Sequence, residues 1–183
     1  AGISTYNAGF IGGTGYESTV EVTDSWAAGS VIGANYSAGF IGAIQSHVTI
    51  SRCWADVDVT ASGQRCGAFA GCNTKFPATI SNCYATGDIT ATGQQVGGII
   101  GYASKPVTIT NCYATGNVSS ATAGTGGIAG TISAESTVSD CIAWNAVISN
   151  EAPAISGGFS VGAVIGAVAK PSSLSNNYRR SDM

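Results

Sequence analysis

The sequence predicts an all-β chain folded as a parallel β-solenoid, expected to be a right-handed β-helix of about six coils. One observation is a repeat of 29–30 residues that recurs along the whole chain. The other is composition: Gly, Ala, Ser, Thr, Val and Ile dominate, and Leu174 is the one leucine. Helices favour Leu, Glu, Lys, Arg and Gln, so this composition favours short strands and turns.

Two independent anchors define the repeat. The first is the last glycine of a short glycine-rich core, at Gly12, Gly42, Gly71, Gly101, Gly130 and Gly166. The second lies at Ser25, Cys53, Cys83, Cys112, Cys141 and Asn177. The sixth repeat is delayed by an insertion around residues 150–160. We therefore expect residues 1–183 to form a single repeat domain, a piece of a longer protein with flanking domains. Its cores lie near residues 9–12, 39–42, 67–71, 97–101, 126–130 and 162–166.

Each repeat contains three short runs of strand-forming residues. In the fourth repeat they are Gly98–Tyr102, Val107–Thr110 and Cys112–Ser119. Each run is too short to bury a face alone, so the coils must stack. A β-propeller is the alternative architecture, but its blades need about 40 residues or more.

The alternation of side chains predicts a corner in each coil. Val107 and Ile109 are expected to face inward, and Thr108 and Thr110 outward. Cys112 can face inward only if the chain turns between Thr110 and Cys112. Asn111 is placed for that turn, because Asn and Asp tolerate the left-handed conformation. The equivalent positions are Asp24, Arg52, Asn82, Asn111, Asp140 and Asn176.

The stretches GAFAG…ATISNCYATGDI and GGIIGYAS…VTITNCYATGNV resemble the GLUG motif, a repeat of bacterial surface and secreted proteins. The resemblance covers essentially the whole chain, with degraded copies in the first, fifth and sixth repeats. It implies a large secreted or cell-surface bacterial protein, often adhesin-like or associated with secreted peptidases. It also implies that the motif is structural and carries no catalytic residues.

The in-phase cysteines Cys53, Cys83, Cys112 and Cys141 are expected to form a buried ladder of free thiols. Disulfides remain open, because six cysteines in a secreted chain permit them and Cys66 and Cys72 belong to one coil. Zinc ligation would need closely spaced cysteines or paired histidines, and neither is found. We expect no metal and no cofactor.

Two outward columns are candidates for binding. An aromatic column contains Trp26, Trp54, Tyr84, Tyr113 and Tyr178, with Ile142 interrupting it. These rings either cover one another, pack on a flanking domain, or bind sugar rings or a partner protein. A hydroxyl column contains Thr49, Thr79, Thr108 and Thr137, each followed two residues later by Ser or Thr. It is either an ordinary solvated strand surface or a regular array that orders water, as in ice-binding solenoids.

The remaining signals argue against several functions. The net charge is −3 with no basic stripe, so nucleic-acid binding is not expected, and no apolar run is long enough to span a membrane. His47 is the one histidine and has no nucleophile at a recognisable spacing. Asp58 and Asp88 occupy equivalent positions, where they act as a carboxylate pair, hold Ca²⁺ or form a turn position that favours Asp or Asn.

We therefore expect a non-enzymatic structural or adhesive module that binds a glycan or a cell-surface protein. An ice-binding solenoid and a polysaccharide-acting enzyme are the alternatives.

Overall fold

The computed structural model describes residues 6–151 and 161–182, and most of the predicted insertion lies outside these ranges. In the described ranges the regular structure is entirely β, and every strand pairing is parallel. None of the described residues belongs to a helix that could cross a membrane. The prediction of an all-β parallel solenoid is confirmed.

Four sheets surround the core, and each coil adds to them in turn. Sheet I contains the glycine-core strands β1 (Ile11–Gly13), β4 (Ile41–Ile44), β8 (Ala70–Asn73), β13 (Ile100–Ala103), β18 (Ala129–Ile132) and β23 (Ile165–Val168). Sheet II contains the next strands along each coil, β2 (Thr19–Thr23), β5 (His47–Ser51), β9 (Ala78–Ser81), β14 (Val107–Thr110), β19 (Thr137–Ser139) and β24 (Ser173–Ser175). Six successive strands in one sheet enclose five full turns, so the prediction of about six coils is close.

Sheet III follows the corner and differs from the prediction. It contains β3 (Trp26–Gly33), β6 (Trp54–Ala61), β10 (Tyr84–Ala85), β11 (Ile89–Ala91), β15 (Tyr113–Ala114), β16 (Val118–Ser120), β20 (Ile142–Ala143), β21 (Ile148–Asn150) and β25 (Tyr178–Arg179). The expected single run Cys112–Ser119 begins at Tyr113 and is broken at Thr115, Gly116 and Asn117. The break arises because Asp88 Oδ1 accepts a hydrogen bond from the Asn117 amide at 2.7 Å, in place of a backbone carbonyl.

Sheet IV was not predicted. It contains the two-residue strands β7 (Cys66–Gly67), β12 (Val96–Gly97), β17 (Thr125–Gly126) and β22 (Val161–Gly162). These strands are too short to show the alternation of buried and exposed residues by which strands are recognised in a sequence. The turns before them fold back onto sheet I. A β-carbon on Gly71, for example, would collide with the carbonyl oxygen of Gly42 and the backbone of Tyr36. This close approach explains the glycine-rich cores.

The interior follows the predicted alternation. Val107, Ile109, Cys112, Ala114 and Val118 are all buried. An aromatic stack was not predicted: the rings of Phe10, Phe40 and Phe69 lie 4.7 and 4.8 Å apart between centroids, with Phe40 and Phe69 buried and Phe10 exposed in the first coil. Parallel in-register coils place like residues above one another, so identical side chains stack. The continuous parallel sheets also exclude the β-propeller.

The predicted corner is present in every coil. Its six residues have φ between 50° and 55°, at Asp24, Arg52, Asn82, Asn111, Asp140 and Asn176. A second left-handed corner, before sheet IV, was not predicted and falls at Tyr36, Arg65, Gln95 and Gly124. Tyr36, Arg65 and Gln95 share no turn preference and Gly124 alone of the four is of a type that favours this conformation, so the sequence carries no consistent signal for this corner.

Candidate functional site

The first corner decides which side chains reach the surface. Asn111 reverses the alternation between Thr110 and Cys112, so the residues on both sides of the corner keep their polar or aromatic side chains outside. Two adjoining faces result, one from sheet II and one from sheet III. At the edge between them Arg52 donates two hydrogen bonds to the Asp24 carboxylate, at 2.7 and 2.6 Å. This contact lowers the pKa of Asp24.

Sheet II presents a grid of hydroxyl groups. Thr49, Thr79, Thr108 and Thr137 are paired in register, and Ser51, Ser81, Thr110 and Ser139 form a second column beside them. Thr49 is exposed, and the rest of the grid is half-buried. Neighbouring strands lie about 4.8 Å apart and alternate residues about 6.6 Å apart, so the grid is regular in both directions. Glu21 extends the first column at one end and Ser173 at the other.

Sheet III presents the predicted aromatic column. Trp26, Trp54, Tyr84 and Tyr113 are stacked with centroid distances of 6.0, 5.7 and 4.8 Å and interplanar angles of 8°, 5° and 3°. Ile142 and Tyr178 continue the register. Because each ring covers the face of the next, the inner rings offer their edges to a ligand. Trp26, at the end of the stack and 57% exposed, has one face that no other ring of the stack covers.

The predicted thiol ladder lies inside the solenoid. Cys53, Cys83, Cys112 and Cys141 are buried, and all six cysteines of the chain are free. Each ladder thiol donates to the carbonyl oxygen two residues earlier, at 3.1–3.3 Å. At the last coil Asn177 takes the cysteine position. Its Oδ1 accepts a hydrogen bond from the Cys141 backbone amide at 3.0 Å, and its Nδ2 donates to the Val138 carbonyl at 2.8 Å.

Cys66 lies in β7 of sheet IV and Cys72 in β8 of sheet I, and both are buried. Burial raises the pKa of Cys66 to about 11 and the pKa of Cys72 to about 12. A thiol with so high a pKa remains protonated at neutral pH and is a poor nucleophile or metal ligand. Both side chains are fully buried and pack in the interior.

The acidic column of sheet III supports the backbone. Asp58 Oδ1 accepts a hydrogen bond from the Asp88 amide at 2.9 Å, and Asp88 in turn accepts from Asn117. Asn117 Oδ1 continues the series by accepting from the Val147 amide at 3.0 Å. Asp58 and Asp88 do lie in one column, as their spacing indicates, and each carries a hydrogen bond that holds the next coil in place.

A groove runs beside the hydroxyl columns, and sequence reasoning missed it. It consists of two cavities of about 480 and 240 Å³ that share Pro106 and Thr108. Thr49, Thr79, Thr108 and Thr137 line one side, and the turns from sheet I to sheet II line the other. The available signal was the recurrence of proline in these turns, at Pro77, Pro106 and Pro171.

The last coil leaves part of the core open. A cavity of about 460 Å³ is lined by Val164, Ile165, Val168, Leu174, Asn176 and Asn177. Leu174 continues the interior position of Val138, and it is 49% exposed because no described strand covers it.

Comparison with known families identifies two of the repeats. Residues 62–90 and 92–119 match the GLUG motif. They are the third and fourth repeats, in which the glycine core and the Asn-Cys-Tyr-Ala-Thr-Gly sequence are complete. No curated protein and no solved structure matches the chain. The chain thus carries two GLUG motifs in tandem, and the recognition from sequence is confirmed for them.

Proposed function

We propose that this solenoid with tandem GLUG motifs is an adhesive module of a secreted or cell-surface bacterial protein. The observation that carries the proposal is the set of outward columns, which continue in register from coil to coil on two adjoining faces. A repeating surface suits a repeating ligand, because each coil offers the same contact one strand spacing further along. The occupant that we propose is a glycan, with a cell-surface protein as the other partner class.

The chemistry of the two faces supports a sugar ligand. The hydroxyl grid of sheet II can donate and accept hydrogen bonds at every coil. The aromatic column adds ring edges and the free face of Trp26, and aromatic side chains with polar handles suit wet interfaces. The low charged fraction of 9% also fits a surface that works through hydroxyl groups rather than ion pairs.

We propose that the module binds without catalysis. The carboxylates of Asp58 and Asp88, which are the candidates for acid–base chemistry, accept hydrogen bonds from backbone amides of the next coil. Asp58 lies within β6 and Asp88 directly before β11, and both carboxylates hold the backbone of the next coil.

Binding to immobilised glycans and to intact bacterial cells tests the proposal. Thr79→Tyr/Thr108→Tyr blocks the hydroxyl grid, and Trp54→Ala/Tyr84→Ala/Tyr113→Ala removes the ring edges. We expect each set to weaken binding about tenfold or more. Thr90→Tyr, at an exposed outward position of sheet III away from both columns, is the matched control. Circular dichroism confirms that each variant is folded. Unchanged binding in both sets of variants would contradict the proposal.

The hydroxyl grid also favours ice binding as a second candidate. Regular hydroxyl spacing in two directions is what a surface needs to order water in a lattice. A thermal-hysteresis assay separates the two functions: activity in the wild type that is lost in Thr79→Tyr/Thr108→Tyr but kept in the aromatic variants supports ice binding. No thermal hysteresis in the wild type removes this candidate.

A further inference from the structure

The three lysines of the chain, Lys75, Lys105 and Lys170, all lie in the turns from sheet I to sheet II. We call this edge the lysine corner. All three side chains are exposed. The two ion pairs within the described ranges, Arg52 with Asp24 and Arg180 with Asp182, involve none of them. A chain of net charge −3 thus concentrates its lysines along one edge.

The lysine corner is rigid at the backbone. Pro106 and Pro171 directly follow Lys105 and Lys170, and a proline restricts both its own φ and the conformation of the residue before it. The buried side chain of Asn73 also donates hydrogen bonds to the carbonyl oxygens of Lys105 at 3.4 Å and Pro106 at 3.3 Å. The backbone that carries the lysine side chains is therefore held in one conformation.

The groove lies between the hydroxyl grid and the prolines of the lysine corner, and the lysines lie beside these prolines at its edge. Pro77, Pro106 and Pro171 line it, each at or next to the position after a lysine, and the threonine column lines the facing side. From Thr19 in the first coil to Ser173 in the sixth, five strand spacings of about 4.8 Å give a length of roughly 24 Å. Glu135 is the one acidic residue that lines the groove.

One end of the groove carries an aromatic cluster. The turn of the third coil has one residue more than that of the fourth, four between Asn73 and Ala78 against three between Ala103 and Val107. The extra length places Phe76 against His47, at 4.7 Å between ring centroids, and against Tyr16 at 5.8 Å. Lys75 Nζ lies 5.8 Å from the centroid of Tyr16, which is 63% exposed.

From this arrangement we propose that the groove binds a linear anionic polysaccharide laid parallel to the solenoid axis. Its carboxylate or sulfate groups form ion pairs with the lysines, and its hydroxyl groups form hydrogen bonds with the threonines. A sugar ring at one end packs against the aromatic cluster. This inference rests on the proposed glycan-binding function and adds the class of glycan and the surface that binds it.

Titration calorimetry with polygalacturonate, heparin and neutral dextran tests the proposal. Lys75→Gln/Lys105→Gln/Lys170→Gln removes three charges from the corner. Arg52→Gln/Arg179→Gln/Arg180→Gln removes three charges elsewhere and is the control matched for net charge. We expect the lysine variant to lose about tenfold or more in affinity for at least one anionic chain, and the arginine variant to change less than about twofold. Binding should also weaken as salt is raised, because exposed charges are screened.

Equal losses in the lysine and arginine variants would show general charge attraction and overturn the proposal. Equal affinity of the wild type for a single-stranded oligonucleotide and for the anionic polysaccharides would also overturn the proposal. If the wild type and the lysine variant bind dextran as tightly as the anionic chains, the lysine corner does not select the glycan. The proposed glycan-binding function then still stands. If the wild type binds no glycan, both proposals fail.

Discussion

Replacing Asn111 with valine is expected to lower the free energy of unfolding by about 1–2 kcal/mol. Asn111 holds a backbone φ of 52° at the corner between sheets II and III. The left-handed region costs residues with a β-carbon roughly 1–2 kcal/mol each, asparagine visits it readily, and β-branched side chains tolerate it least. The Asn111 side chain is exposed, so the substitution changes little buried surface and isolates the backbone effect.

Thermal unfolding followed by circular dichroism measures this cost. For a chain of this size 1 kcal/mol corresponds to about 2–4 °C, so the midpoint should fall by about 2–8 °C. Asn111→Gly should stay within about 1 kcal/mol of the wild type, because glycine adopts this conformation without a steric clash. Thr110→Val is the matched control, since it introduces the same side chain one residue earlier in an extended strand, where valine is favoured. An Asn111→Val midpoint equal to that of the wild type would refute the role of the corner.

Two further predictions concern the cysteines. The folded-state pKa values of Cys66 and Cys72, about 11 and 12, exceed the ordinary thiol value of about 8.5. The unfolded chain therefore loses these protons first as the pH rises. Stability is fully present below about pH 8.5 and is lost as the pH rises through the folded-state values, by about 1–2 kcal/mol per thiol at pH 10. Urea unfolding from pH 8 to 10 should show this decrease, and Cys66→Val/Cys72→Ala, with residues taken from neighbouring coils, should flatten it. An equally steep decrease in that variant would assign the effect to other groups. Thiol titration in denaturant without reductant should count all six cysteines, with almost no reaction in the native state. A lower count in denaturant would reveal a disulfide.

The coil and its corner could be predicted because their residues have strong local preferences. Val107, Ile109 and the threonines between them alternate as a half-buried strand must, and Asn111 belongs to the small set of residues that tolerate a left-handed backbone. Together with the repeat of 29–30 residues, these local preferences were enough to predict which residues of neighbouring coils lie above one another. The orientation of Tyr113 and Cys112 followed from the same alternation.

The second corner and the groove could not be predicted in the same way. Tyr36, Arg65 and Gln95 adopt left-handed conformations that none of these residue types prefers, so the packing of sheet IV on sheet I imposes them. The groove depends on how turns of different length align across coils. Lys75 and Lys105 share a repeat phase that the sequence does show, but only the fold reveals that the turns carrying them border the groove lined by the threonine column.

The thiol ladder also has a consequence for a module under mechanical load. The hydrogen bonds between coils, such as that from the Tyr113 amide to the Cys83 carbonyl at 3.1 Å, join one coil to the next along the axis. Tension between the two ends acts along these bonds, so coils separate one after another rather than all at once. Each coil from the second to the fifth that opens uncovers one thiol of the ladder. Alkylation of the thiols during stretching would therefore show which coils had opened. A polymer bound across several coils in the groove would share the load with the hydrogen bonds between those coils.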